Sequence, residues 1–197
     1  MSVWDLREGE VRSWGVVHVV IFVFLSALGA LSATLSSFLQ VGYGVSWFYL
    51  AVVVQVVGGI WFGLWGVLAS IFFPIVGDLV GGIPISISLS LLPANLVQSL
   101  IPAAYFRFLK VDPALKRLSD WVHFILSGVV LNNVLGAYLG TSAMSAWSFI
   151  SGDLYLIVMF SWFIGNVIPI LIVGAPLLKG LSPLIISHRA FCKRWLA

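Results

Sequence analysis

Charge is what this chain has least of. Only 9% of its residues are Asp, Glu, Lys or Arg, against about 25% in soluble domains, while 61% are hydrophobic. That excludes an ordinary soluble domain and leaves one membrane domain to account for the whole chain. The single cysteine, Cys192, rules out an internal disulfide and any multi-cysteine metal site. No HExxH, no GxSxG and no glycine loop built for phosphate is present, so no catalytic residue, metal or cofactor is expected and the chain does not read as an enzyme. The net charge of +3 comes without a dense basic stripe, which excludes a nucleic-acid track. His18 and His123 sit near segment ends and read as interfacial hydrogen-bonding residues.

The distribution of the few cations is the strongest signal. Arg7 and Arg12 precede the first apolar segment; Arg107, Lys110, Lys116 and Arg117 surround one connection; Lys179, Arg189, Lys193 and Arg194 close the chain. No other loop carries Lys or Arg. Short loops rich in these residues stay cytoplasmic, where they also contact anionic lipid. The expected fold is therefore an all-α integral membrane protein of six transmembrane helices, with both termini cytoplasmic. The helices are expected over residues 14–38, 46–57, 61–80, 84–108, 121–139 and 153–178. The first is longer than a signal-peptide core and is read as a mature helix. The second is short for a crossing and stops at Gly58-Gly59. Pro93 and Pro102 predict a kink or a broken ladder in the fourth, and Pro169 interrupts the sixth. Asp153 is placed as a helix N-cap, residues 140–152 as an uncharged outer loop, and the tail after His188 on the inner surface. Trp14, Trp47, Trp61 and Trp121 fall at segment ends, as an interfacial belt requires.

Amides make up most of the polar content of the segments: Gln55, Asn95, Gln98, Asn132, Asn133 and Asn166. Counting about 1.5 Å per residue puts Asn95, Asn132, Asn133 and Trp162 at one depth, with Gln98 and Asn166 about a turn deeper. Such groups face the bundle interior, since hydrocarbon offers them no partner. Two readings stand: interhelical glue worth about 0.6 kcal/mol per contact, or the wall of a pocket for a small polar solute. Asp78 and Asp153 are the only charges expected on the outer side. That favours a neutral or cationic solute over an anionic one. Tyr43, Trp47 and Trp147 are placed to stack over such a pocket or to serve as belt residues.

On the first helix, Ser26, Ala30, Ala33 and Ser37 form one stripe of small residues, broadened by Ala27 and Thr34. Small residues at this period admit a close helix neighbour, in the same bundle or in another subunit. Six helices, this stripe, a short second segment and the glycine-rich run GGIWFGLWGVLASIFFPIVGDLVGG (Gly58 to Gly82) together resemble the substrate-binding S components of energy-coupling-factor transporters. Ser26 and Ala30 approximate that family's Ala-x-x-x-Ala docking pattern, with Ser in the first place. The resemblance implies a solute-binding subunit for a vitamin or similar micronutrient. Its pocket would fall on Asn95, Asn132, Asn133 and Trp162; read from the residues themselves, Gln98, Asn166, Asp78, Tyr43 and Trp47 are added as candidate substrate-binding residues. Docking would run through Ser26, Ala27, Ala30 and Ala33 onto a transmembrane coupling protein driven by ATPases. The segment FSWFIGNVIPILIVGAPLLKGLSP (Phe160 to Pro183) is similar to the last helix of membrane-integral sensory domains, which implies sensing instead of import. An assembly subunit without a ligand is the third reading.

Overall fold

Glycine decides where the second apolar stretch turns. In the computed structural model, which describes residues 2–42 and 44–197, that stretch is a helix over Ala51–Phe62 (α2), followed at once by Leu64–Val80 (α3). Gly63 alone makes the corner, with a φ of +56° that a side chain would strain. The Gly58-Gly59 pair, expected to end the second segment, instead lies inside α2. It is there for packing: a Cβ on Gly66 of α3 would collide with the Gly58 carbonyl, and one on Gly59 would come within 2.6 Å of Ser99 Oγ. The two arms can approach this closely only without side chains.

The remaining elements are α1 (Val16–Ser37), a two-stranded ribbon of β1 (Gln40–Gly42) and β2 (Val45–Ser46), α4 (Ile85–Phe108), α5 (Leu118–Ala146) and α6 (Gly152–Ser187). Helices α1, α4, α5 and α6 are long and apolar enough to cross a membrane. Their outward faces are apolar too: Phe24, Phe108, Val122, Leu156, Phe160 and Leu184 are all exposed. A soluble surface does not carry apolar area on that scale, and the fold fits a membrane protein.

α2 is apolar all round and buried along nearly its whole length, so it forms the axis of the bundle. α1 packs on α3, where Gly77 accepts Ala33 and Gly29 accepts the Phe73 ring. Ala33 is consequently buried inside the bundle, which corrects its expected role in docking another subunit. Ser26 and Ala30 are half-buried, and only Ala27 of the four docking candidates is exposed.

Irregularities in the long helices follow from proline and from amides. α4 is interrupted for one residue at Leu91, and Pro93 opens its second part, where a missing N–H costs little. α5 contains a π-helical stretch over Ile125–Leu131 and α6 another over Ile170–Gly174, directly after Pro169. α5 runs to Ala146, so residues 140–146 are helix and not the expected loop. Their small side chains pack against α6, where Gly140 makes room for the Trp162 ring and Ser142 bonds Tyr155. Asp153 sits within the first turn of α6, one residue past its start, and Ser151 takes the cap position. α6 also continues beyond residue 178 to Ser187.

The three basic stretches meet in a single layer at one end of the bundle. Lys110 pairs with Asp5, and Glu10 binds both Lys193 and Arg12. The Arg7 backbone N–H, then Lys193 and Arg12, hold the Glu10 carboxyl down to about 2, so it keeps both cations until the pH falls to about that value. The tail does not lie flat: Phe191 and Cys192 are fully buried under Trp4, and Leu64 N–H donates to the Trp195 carbonyl. Trp61, expected in the belt, is buried here as well and donates to Ser182. Burial raises the Cys192 thiol to about 11 against the opposing pull of Arg107 and Arg12. Maleimide at neutral pH is therefore expected to leave folded protein unlabelled and to modify it stoichiometrically after denaturation. Rapid labelling of the folded form would mean the tail is not tucked in.

Candidate functional site

The amide tier forms from four helices because each presents its amides to α2 or to the helix beside it. Gln55, Asn95, Gln98, Asn132, Asn133 and Asn166 are all at most 4% exposed. Gln55 Nε2 donates to Asn95 Oδ1 and Gln98 Nε2 to Asn133 Oδ1, both at 3.4 Å, while Asn166 Nδ2 reaches the same Asn133 oxygen at 3.1 Å. Gly136 lacks the Cβ that would meet the Gln98 chain at 2.7 Å.

Pro102 removes the N–H that would have bonded the Gln98 carbonyl one turn earlier, and Asn132 Nδ2 donates to that carbonyl instead, at 3.3 Å. Asn133 likewise donates to Val129 within the π-helical stretch, at 2.8 Å. Long bonds and incomplete pairing leave Gln55 Oε1, Gln98 Oε1 and Asn132 Oδ1 buried with no partner among the described residues. Each such acceptor costs about 1–3 kcal/mol until something donates to it.

Pro169 works the same way on the other side of the site. It frees the Gly165 carbonyl, which accepts the Tyr49 N–H at 2.9 Å. Gly165 itself has no Cβ because the Ser46 carbonyl occupies that place. Ser46 Oγ also donates to the Ser36 carbonyl at 2.6 Å, and Ser36 Oγ accepts the Leu50 N–H. The ribbon and residues 47–50 are thereby drawn down among the helices to a level roughly 20 Å along α6.

Between this inserted segment and the tier lies a narrow cavity of about 40 Å³. Its polar wall consists of Asp78, Tyr49, Asn95, Asn166, Ser46 and Trp162; Ile83, Leu91 and Met144 supply the apolar part. Among the described residues Asp78 is the only charged one in the lining, and its carboxyl accepts from Ser88 Oγ at 2.6 Å. The volume suits a few water molecules. A larger occupant requires the lining to move.

Of the expected pocket residues, Asn95, Asn166, Asp78 and Trp162 line the cavity. Gln98, Asn132 and Asn133 are in the tier but not in the lining. Trp47 is more than half exposed and outside the cavity, as Trp147 is more than half exposed in its turn, so neither stacks over it. Tyr43 lies outside the described residues. Tyr49, Ser46 and Ser88 were missed by sequence reasoning. For Tyr49 a signal existed in Pro169, whose freed carbonyl needed a donor, but nothing along the chain told which donor. Comparison with family models, with curated proteins and with solved structures gives no match to this chain.

Proposed function

We propose that this chain crosses the membrane six times with both ends in the cytoplasm. We further propose that it binds a small solute, cationic or rich in hydrogen-bond donors, from the outer side. The observation that carries the reading is the composition of the cavity: among the described residues its lining has one carboxyl, no basic residue, and the Asn95 and Asn166 amides. Cations and N–H or O–H donors complete such a wall, while anions are repelled by it.

The meeting of all three basic stretches in one layer supports the orientation, because the positive end faces inward. The cavity then lies toward the opposite, outer end. α2 supplies about 18 Å of its crossing, and the segment between α1 and α2 supplies the remainder. Irregular backbone at membrane depth is tolerated where it is enclosed by protein or lines a cavity, which is the situation of Val45, Ser46 and Tyr49.

In this reading the protein is the solute-binding subunit of an uptake transporter for a vitamin or similar micronutrient, and its partners are a transmembrane coupling protein and ATPases. The stripe around Ala33 is covered by α3, so the partner face on α1 is the outward one that carries Val20, Val23, Phe24, Ala27 and Leu31. The test is to purify the protein from native membranes, identify released small molecules by mass spectrometry, and identify copurifying proteins. A retained amine or polyol together with ATPase subunits is expected. Recovery of an anionic molecule, or of the chain with no ATPase partner, would sink respectively the chemistry of the site and the transport role.

A further inference from the structure

A second hollow, of about 640 Å³, opens at the basic end beside the start of α1. Its wall holds Arg12, Ser13, Trp14, His18, Ser187 and Arg189 together with the first residues of α1. The backbone N–H groups that open a long helix have no intrahelical acceptor and carry the positive end of its dipole. His18 adds an independent observation. It is 2% exposed and forms part of the wall; its Nδ1 accepts the Gly15 N–H at 3.2 Å, and its Nε2 is buried without a partner among the described residues. With Nδ1 accepting, the ring proton sits on Nε2, so the orphan is a donor.

The charges on the wall are unequal. Glu10 is the one acid there, and it is already bound by Lys193 and Arg12. Arg12 gives Nε to Glu10 and Nη1 to the Phe191 carbonyl, and no partner is seen for its Nη2 among the described residues. Arg189 is exposed, with no acid in ion-pair range among the described residues. The wall of the hollow therefore gathers a helix N-terminus, two guanidinium groups with donors to spare and two hydroxyls, with an orphaned imidazole N–H buried behind it.

We infer that this hollow binds a phosphate group, held between Arg12, Arg189 and the start of α1 with His18 Nε2 beneath it. A phosphate supplies the acceptor oxygens these donors lack, and guanidinium is the cation best shaped to meet them. At this end of a membrane protein, beside the exposed Trp14, two sources carry that group: an anionic phospholipid headgroup and free phosphate.

The test uses full-length protein in a neutral detergent. Thermal stability is measured with added phosphatidylglycerol, with a phosphate-free galactolipid, and with inorganic phosphate. Phosphatidylglycerol retained after gel filtration is counted by native mass spectrometry. Stabilisation by phosphatidylglycerol alone assigns the site to lipid, and equal stabilisation by inorganic phosphate assigns it to the free anion. Arg189→Gln removes a side chain with no structural partner and is expected to weaken retention about fivefold, the loss of one cation near an anionic surface. His18→Phe tests the orphaned donor in the same assay. The inference is overturned if the galactolipid stabilises as well as phosphatidylglycerol, if neither phosphate source has any effect, or if Arg189→Gln retains as much lipid as the parent.

Discussion

Asp78→Asn protein is expected to bind the proposed cationic solute about a hundredfold more weakly while folding normally. The substitution keeps shape and keeps an acceptor for Ser88, but removes the only charge in the cavity lining among the described residues. Deleting one partner of a buried, hydrogen-bonded charge pair costs about 2–5 kcal/mol, and a hundredfold lies in the lower part of that range. The measurement is titration of the molecule released from the parent protein, with gel filtration as the check on folding. A drop of less than about threefold, under 1 kcal/mol, would show that the solute does not meet this carboxyl. Loss of a neutral donor-rich solute to the same extent would show that Asp78 acts as a hydrogen-bond acceptor and not as a counter-ion.

The second large effect is expected at the opposite end. Arg107→Met should destabilise the protein by about 3 kcal/mol or more and release the tail, because hydrogen bonds to a charged donor contribute about 1.5–3 kcal/mol each. Arg107 has no acidic partner in ion-pair range among the described residues. Its guanidinium instead donates to the carbonyls of Gly59, Ile60, Ala103, Cys192 and Arg194, and lies over the Trp4 and Trp195 rings. Gly59 and Ile60 are in the last turn of α2, where carbonyls run out of intrahelical donors and a cation is favoured. One side chain thus caps the central helix and pins the tail across it. Thermal unfolding reports the stability, and Cys192 becomes maleimide-reactive in the folded variant. Arg107→Lys should recover only part of the loss, since an ammonium cannot reach all of these carbonyls in one plane. An unchanged melting temperature with Cys192 still protected would remove Arg107 from this role.

Sequence reasoning reached the amide tier because depth along a helix is a matter of counting, and six amides in apolar segments have few places to go. It found the cation asymmetry for a similar reason, as both readings need only composition and order along the chain. It failed at Gly58-Gly59 because glycine marks either a turn or a close packing contact. Only the presence of Gly66 and Ser99 across the interface selects the second. Trp61 failed likewise: a tryptophan at a segment end belongs to the belt unless a folded tail covers it.

From the order of residues alone came the membrane class, the four long helices, the clustering of cations in three stretches and the inward-facing amides. These depend on local hydropathy and on the cost of burying polar groups in hydrocarbon, which any fold of this chain must respect. Tertiary structure decided the rest: that Gln98 and Gly165, freed by Pro102 and Pro169, find their donors in Asn132 and Tyr49, and that a loop descends to complete the cavity. Those outcomes depend on pairing groups far apart along the chain, and a carbonyl released by proline carries no mark of the partner that will reach it.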